Sequence, residues 1–186
     1  VPIKTVYEGG MDKGRVDTET SFEIVRKWFW GNSGSKDIYH DPQTRKQFGV
    51  TFRLCLARLM EALIAEGKID QATEVIALAM EHIPFEHYGY YMFVEPFLDG
   101  YYKVGDKPEA RRLFKKLQRI YQERLRYYGS LSRETQYAKI EEILSDCYAY
   151  KRNIQLINAN QDQDFYQKEV RTFEEDVSIF GHLIVE

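Results

Sequence analysis

Residues 56–84, LARLMEALIAEGKIDQATEVIALAMEHIP, read as two helices folded back on each other. Leu56, Leu59 and Leu63 recur at i, i+3 and i+7, which puts them on one face of a 3.6-residue helix. Ala72, Val75, Ile76, Ala79 and Ile83 repeat the pattern after a break, and Pro84 closes it. The break is Gly67-Lys68-Ile69-Asp70, where Gly67 suits the left-handed residue that ends one helix and Asp70 suits the cap of the next. Ala72 is small where the two helices are expected to cross, so a large side chain there would overpack the contact.

The same turn returns 38 residues on, from Gly67 to Gly105, as Gly105-Asp106-Lys107-Pro108-Glu109-Ala110. Pro108 suits the first helical position. Val94, Phe97, Leu98 and Tyr101 precede this turn, and Phe114 and Leu117 follow it. Both copies fit the tetratricopeptide pattern, a helix–turn–helix unit of about 34 residues. In the first copy Leu56 and Leu59 take its early apolar positions, Met60 its small slot and Leu63 its aromatic slot. Ala72 takes the second-helix alanine, Ile76 the large residue and Pro84 the closing proline. The expected fold is all-α, with tetratricopeptide-like antiparallel helix hairpins in two recognisable repeats at about 52–84 and 90–122. An N-terminal arm or linker at 1–20 precedes a single helical-repeat domain at 21–186, with capping helices at 131–181. Two unrelated hairpins is the competing reading, because such patterns are degenerate.

Along the chain, 1–16 has few periodic apolar residues and is broken by Gly9, Gly10 and Gly14, as an arm, linker or continuing strand would be. Thr20-Ser21-Phe22-Glu23 fits a capping box that opens a short helix with Phe22, Val25 and Phe29 on its apolar face. Trp28 and Trp30 end it, and 31–35 is a loop. Asp41-Pro42 supplies a cap and an N1 proline for a long helix through Phe48, Phe52, Cys55, Leu56, Leu59 and Leu63. Pro96 and Gly100 fall where the second repeat wants a continuous helix, and proline removes a backbone donor, so a kink or a late start is expected. A long amphipathic helix at 108–128 ends at Gly129. Ser130 or Ser132 caps another helix to about Asn158. The last helix runs from about Asp164 to Phe180, with Gly181 as its stop. These later helices carry no third glycine turn and read as a divergent cap on the stack.

Composition narrows the function classes. At 186 residues and 44% hydrophobic, the chain can bury a sizeable core. Its net charge of −3, with both signs interspersed, argues against a nucleic-acid partner, which needs a basic face. No apolar run approaches the ~20 residues that span a bilayer, so no membrane insertion is expected. The chain shows neither an initiator Met nor a signal segment, which reads as a processed or excised piece of a longer protein. Cys55 and Cys147 each sit in an apolar helical stripe and read as buried thiols rather than as a disulfide or metal pair.

No catalytic spacing, phosphate loop or dinucleotide fingerprint is present, so no catalytic, cofactor or metal residue is expected. His82 and His87 flank a proline and read as surface or core side chains rather than ligands. Asn158, Asn160, Asp162, Asp164 and Glu169 match calcium-loop positions, but Gln163 stands where the sharp turn needs glycine. A polar inter-helix connection is the better reading. Two surfaces are the candidate binding sites. Helical spacing sends Glu61, Ile64, Ala65, Glu95, Asp99, Tyr102 and Lys103 toward one groove, with a merely solvated face as the alternative. Trp28, Trp30, Tyr39, Tyr88, Tyr90 and Tyr91 form an aromatic docking patch.

A series of short motifs then points to a family. It comprises Val1-Pro2-Ile3, Phe29-Trp30-Gly31-Asn32, Tyr39 with Asp41, Phe52-Arg53, and Leu59 to Ala72 around Glu66-Gly67-Lys68. Tyr101-Tyr102-Lys103-Val104-Gly105-Asp106 and Tyr127-Tyr128-Gly129-Ser130-Leu131 continue it. Together they resemble the soluble C-terminal region of large polytopic membrane proteins from Bacteroidetes, whose membrane part is similar to protein O-mannosyltransferases. The resemblance implies that any transferase chemistry belongs to membrane-embedded segments outside this chain. The chain itself would be a non-catalytic, extracytoplasmic (periplasmic) accessory domain without cofactors. It would bind a protein or peptide partner, an acceptor polypeptide or its own membrane portion. The alternative is a glycan-binding or glycan-processing module that uses an aromatic and acidic face, with Glu61, Glu95 and Asp99 as its carboxylates.

Overall fold

The computed structural model describes residues 3–4 and 15–184. Most of the expected arm at 1–20, including Val1-Pro2 of the motif series, lies outside them. Among the described residues the regular secondary structure is helical apart from a two-residue antiparallel pairing of Ile3–Lys4 with Arg15–Val16. The helices in order are α1 (Thr18–Lys27), α2 (Pro42–Lys46), α3 (Arg53–Ala65), α4 (Ile69–His82), α5 (Phe85–Tyr88), α6 (Glu95–Lys103), α7 (Lys107–Gly129), α8 (Arg133–Ala138), α9 (Ile140–Ala159), α10 (Gln163–Val177) and α11 (Gly181–Ile184). They divide into two compact units, Val1–Asp106 and Lys107–Glu186. The division falls inside the second expected repeat, so α6 is packed within the first unit and α7 within the second.

In the first unit the α3–α4 hairpin is the core. Leu59, Leu63, Ala72, Val75, Ala79 and Ile83 are all fully buried. Helix α6 packs against both α3 and α4. Gly100 makes that approach possible, since a Cβ there would lie 2.4 Å from Met60 Sδ and 3.3 Å from Ile76 Cδ1. The expected late start at Pro96 is observed: a 3₁₀ turn, Tyr91–Val94, leads into α6, and the proline sits in the first helical turn.

The turn geometry repeats. After α3, Gly67 has φ +73°. Its amide bonds Ile64 O at 3.0 Å and the Lys68 amide bonds Leu63 O at 2.9 Å, which together form a Schellman motif. After α6, Gly105 has φ +87°, and Gly105 and Asp106 bond Tyr102 O and Tyr101 O in the same way. A third turn of this kind follows α9, where no glycine marks it. Gln161 takes φ +59°, and the amides of Gln161 and Asp162 bond Asn158 O and Ile157 O.

Several local expectations are corrected. Helix α1 is capped by Asp17, which accepts from the Thr20 amide, so the helix starts two residues before the expected capping box. It ends at Lys27, before Phe29, and Phe29 is 90% exposed rather than part of the apolar face. Asp70 lies in the first turn of α4, whose cap position is Lys68. Pro108 is the second rather than the first residue of α7. Ser132 caps α8, as expected, but the helix then breaks at Lys139 before α9 resumes. Gly181 does not stop the last helix; a 3₁₀ turn, Ser178–Phe180, passes through it into α11.

In the second unit α7 buries Ala110, Leu113, Phe114, Leu117, Tyr121, Leu125 and Tyr128, a continuous i, i+3/i+4 stripe. It packs on α9 and α10. Polar groups are built into this core. Gln118 Nε2 donates to Tyr150 Oη and to Glu169 Oε2, both at 2.7 Å, and Lys115 Nζ lies 2.7 Å from the same carboxylate. Tyr150 stacks on Tyr121 with centroids 5.4 Å apart, and its hydroxyl donates to Asp176. Arg111 and Lys107 hold the buried Asp162. Asp162 and Glu169 of the calcium-loop match are thus both occupied by cations from α7. Cys147 is buried, and burial, with Asp146 beside it, pushes its thiol up to about 11. At about pH 8 it should therefore stay protonated and resist iodoacetamide, while the half-buried Cys55 reacts first. Mass spectrometry of a timed alkylation checks this; equal labelling of both thiols would contradict it.

Candidate docking surface

The first unit carries both candidate surfaces. Between α2 and α3 the helix widens into a π-helical segment, Gln47–Phe52, a form often found where side chains must be re-aimed. Arg53, directly after this segment, is fully buried. Its guanidinium donates to Gly49 O at 2.8 Å, Ile83 O at 3.0 Å, and Gly89 O and Tyr90 O at 3.1 Å. Burial lowers its pKa to about 10, opposed by the nearby Glu86 and Tyr88. One side chain thus ties the π-segment to the end of α4 and to the turn after α5. In that turn Gly89 has φ +71° and Tyr90 the left-handed value of +53°. Tyr90 is held there closely: a Cβ on Gly49 would lie 2.9 Å from its ring. Sequence reasoning missed this anchor, although Gly49, Arg53, Ala57 and Met60 follow the spacing of the buried face.

The expected aromatic patch divides into an exposed and a buried part. The rings of Trp28 and Trp30 are 5.1 Å apart, and Trp28 lies 5.0 Å from Phe52. Trp30 stacks on His82 at 4.9 Å, nearly parallel, so His82 is a packing partner. Trp28 is 39% exposed, Ile24 one turn earlier 51%, and Phe29, beyond the end of α1, 90%. Tyr39 and Tyr90 are also exposed, and Tyr91 is half-buried. Tyr88 belongs to the core instead. It is 1% exposed, its hydroxyl donates to Ser33 O at 2.8 Å, and its ring packs on His40 and Phe48. Burial raises its phenol pKa. Beside it, Lys36, Asp37, Tyr39, His40, Arg45 and His87 help line an open polar cleft of about 480 Å³. The Arg45 guanidinium lies over the Tyr39 ring, 5.9 Å from its centroid.

The expected groove lies along α3 and α6. Lys103 Nζ pairs with Asp99 at 2.5 Å, one helical turn away. Glu61 approaches the same pair: burial raises its carboxyl pKa, Lys103 lowers it and Asp99 raises it again. Ala65 is exposed; Ile64, Glu95 and Tyr102 are half-buried. The structure therefore brings Glu61, Asp99 and Lys103 together, with the Asp99 carboxylate engaged by a cation. Among the described residues no group of three or more His, Cys, Asp or Glu could hold a metal ion. No described helix is long and apolar enough to cross a membrane. No family model matches the chain, and neither a curated protein nor a solved structure matches it.

Proposed function

We propose that this chain is a non-catalytic helical-repeat accessory domain that docks a polypeptide partner, an acceptor chain or the membrane portion of its own full-length protein. The observation that carries this reading is the exposure of three large apolar side chains within residues 24–29, Ile24 at 51%, Trp28 at 39% and Phe29 at 90%, surface that a partner would cover. The packing of α6 onto both α3 and α4, behind matching glycine turns, supports the tetratricopeptide-like reading. The motif series from Phe29-Trp30-Gly31-Asn32 to Tyr127-Tyr128-Gly129 supports placement as the extracytoplasmic tail of a membrane glycosyltransferase-like protein. On that reading the transferase chemistry belongs to membrane segments elsewhere.

A glycan-binding module is the second reading, favoured by the open polar cleft beside Tyr39, which is 77% exposed and offers a stacking face. A glycan-processing role is weaker, because the Asp99 carboxylate is bound to Lys103 while hydrolysis needs two carboxyl groups free to act on one bond. Mapping amide shifts during separate titrations with unfolded acceptor-like peptides and short oligosaccharides separates the readings. The docking reading expects peptide-induced shifts at Ile24, Trp28 and Phe29 or along Glu61 and Tyr102. Sugar-induced shifts around Tyr39, without any from peptides, would replace it with the glycan reading.

A further inference from the structure

The cleft beside Tyr39 is lined by two permanent cations, Lys36 and Arg45, and by one carboxylate, Asp37. Arg45 is fixed in place: its Nε donates to His40 O at 2.8 Å, and its guanidinium lies over the Tyr39 ring. Its two terminal nitrogens make no hydrogen bond or ion pair among the described residues, and they are not buried. The acid nearest to it in the chain, Asp41, is engaged in capping α2, where it accepts from the amides of Gln43 and Thr44. A guanidinium held by its Nε, with both terminal nitrogens open, suits a planar carboxylate, because the fold has already ordered it. Lys36 is exposed and likewise makes no ion pair among the described residues, so the lining has one positive charge in excess and matches a monoanion. The volume of about 480 Å³ is that of a small-molecule site. An extended peptide would instead need a strand edge or a long groove. Tyr39, 77% exposed, leaves ring surface for stacking, and the Asp37 carboxylate can accept from hydroxyl groups.

We propose that this cleft binds a hexuronate, a sugar ring bearing one carboxylate, with the carboxylate on the terminal nitrogens of Arg45 and the ring against Tyr39. The inference rests on the glycan reading of the cleft and uses none of the docking residues Ile24, Trp28 and Phe29. The test is an amide-shift titration of the whole chain at low ionic strength with methyl β-glucuronide and methyl β-glucoside, which differ only in the carboxylate. The glucuronide should bind at least about 10-fold tighter, the worth of one charge-assisted hydrogen bond, with shifts centred on Lys36, Tyr39, His40 and Arg45. Arg45→Gln should remove most of that preference. Lys36→Gln, on an exposed side chain, should lower glucuronide affinity and leave the glucoside unchanged, a check that stands even where the first variant disturbs its surroundings. Tyr39→Ala should weaken both sugars. Equal binding of the two sugars would overturn the carboxylate site while the glycan reading stood. No shift in the cleft from either would end both. The proposal is also overturned if the preference survives Arg45→Gln and Lys36→Gln combined. N-acetylglutamate amide, a carboxylate carried on peptide, should bind much more weakly; affinity equal to that of the glucuronide would overturn the sugar and assign the cleft to an acidic side chain of a polypeptide.

Discussion

Arg53→Met lowers the free energy of unfolding by about 2–6 kcal/mol, because it leaves two buried carbonyl acceptors, on Gly49 and Ile83, unpaired at about 1–3 kcal/mol each. Methionine can fill the apolar length of the arginine side chain. It cannot satisfy the four carbonyls of Gly49, Ile83, Gly89 and Tyr90 that the guanidinium holds, and each buried acceptor left unpaired is itself destabilising. Against a typical stability of about 5–15 kcal/mol the loss is large. Arg53→Lys should recover only a minor part, because one ammonium cannot reproduce the planar fork that reaches three segments. Urea unfolding of the three proteins checks this. An unchanged midpoint for Arg53→Met would mean that the π-segment and the 89–90 turn hold themselves without the arginine.

Ala72→Trp and Ala110→Trp come next in expected effect. Both alanines are fully buried, and each sits in the second helix of an expected repeat. Overpacking such a site is destabilising by about 1–3 kcal/mol or more, which for a chain of 186 residues lowers the melting temperature by about 2–12 °C or more. At Ala72 the tryptophan would have to part α4 from α3, whose packing is the core of the first unit. At Ala110 it would disturb the α7 stripe. The two positions test different assignments. An unaltered melting curve for Ala72→Trp would contradict the tight α3–α4 contact, and one for Ala110→Trp would count against the second repeat.

The features legible in the sequence are those fixed by neighbours in the chain. The i, i+3/i+4 stripes of α3, α4 and α7, the glycines at 67 and 105 and the late start at Pro96 follow from local backbone sterics and helical periodicity, which act over a few residues. Three things depended on contacts between distant segments. Arg53 faces inward because carbonyls 30 to 37 residues away accept its protons. Tyr88 is core rather than docking patch because Ser33 and His40 reach its hydroxyl across more than 45 positions. Glu169 is buried because Lys115 and Gln118 meet it across more than 50. The amino-acid order alone determined the α3, α4 and α7 stripes and the glycine turns, though not the break at Lys139 or the position of Phe29 off the α1 face. Which polar side chains are carried inside with those faces was decided only in the tertiary structure, since a buried charge or hydroxyl is tolerated only where remote groups complete its hydrogen bonds.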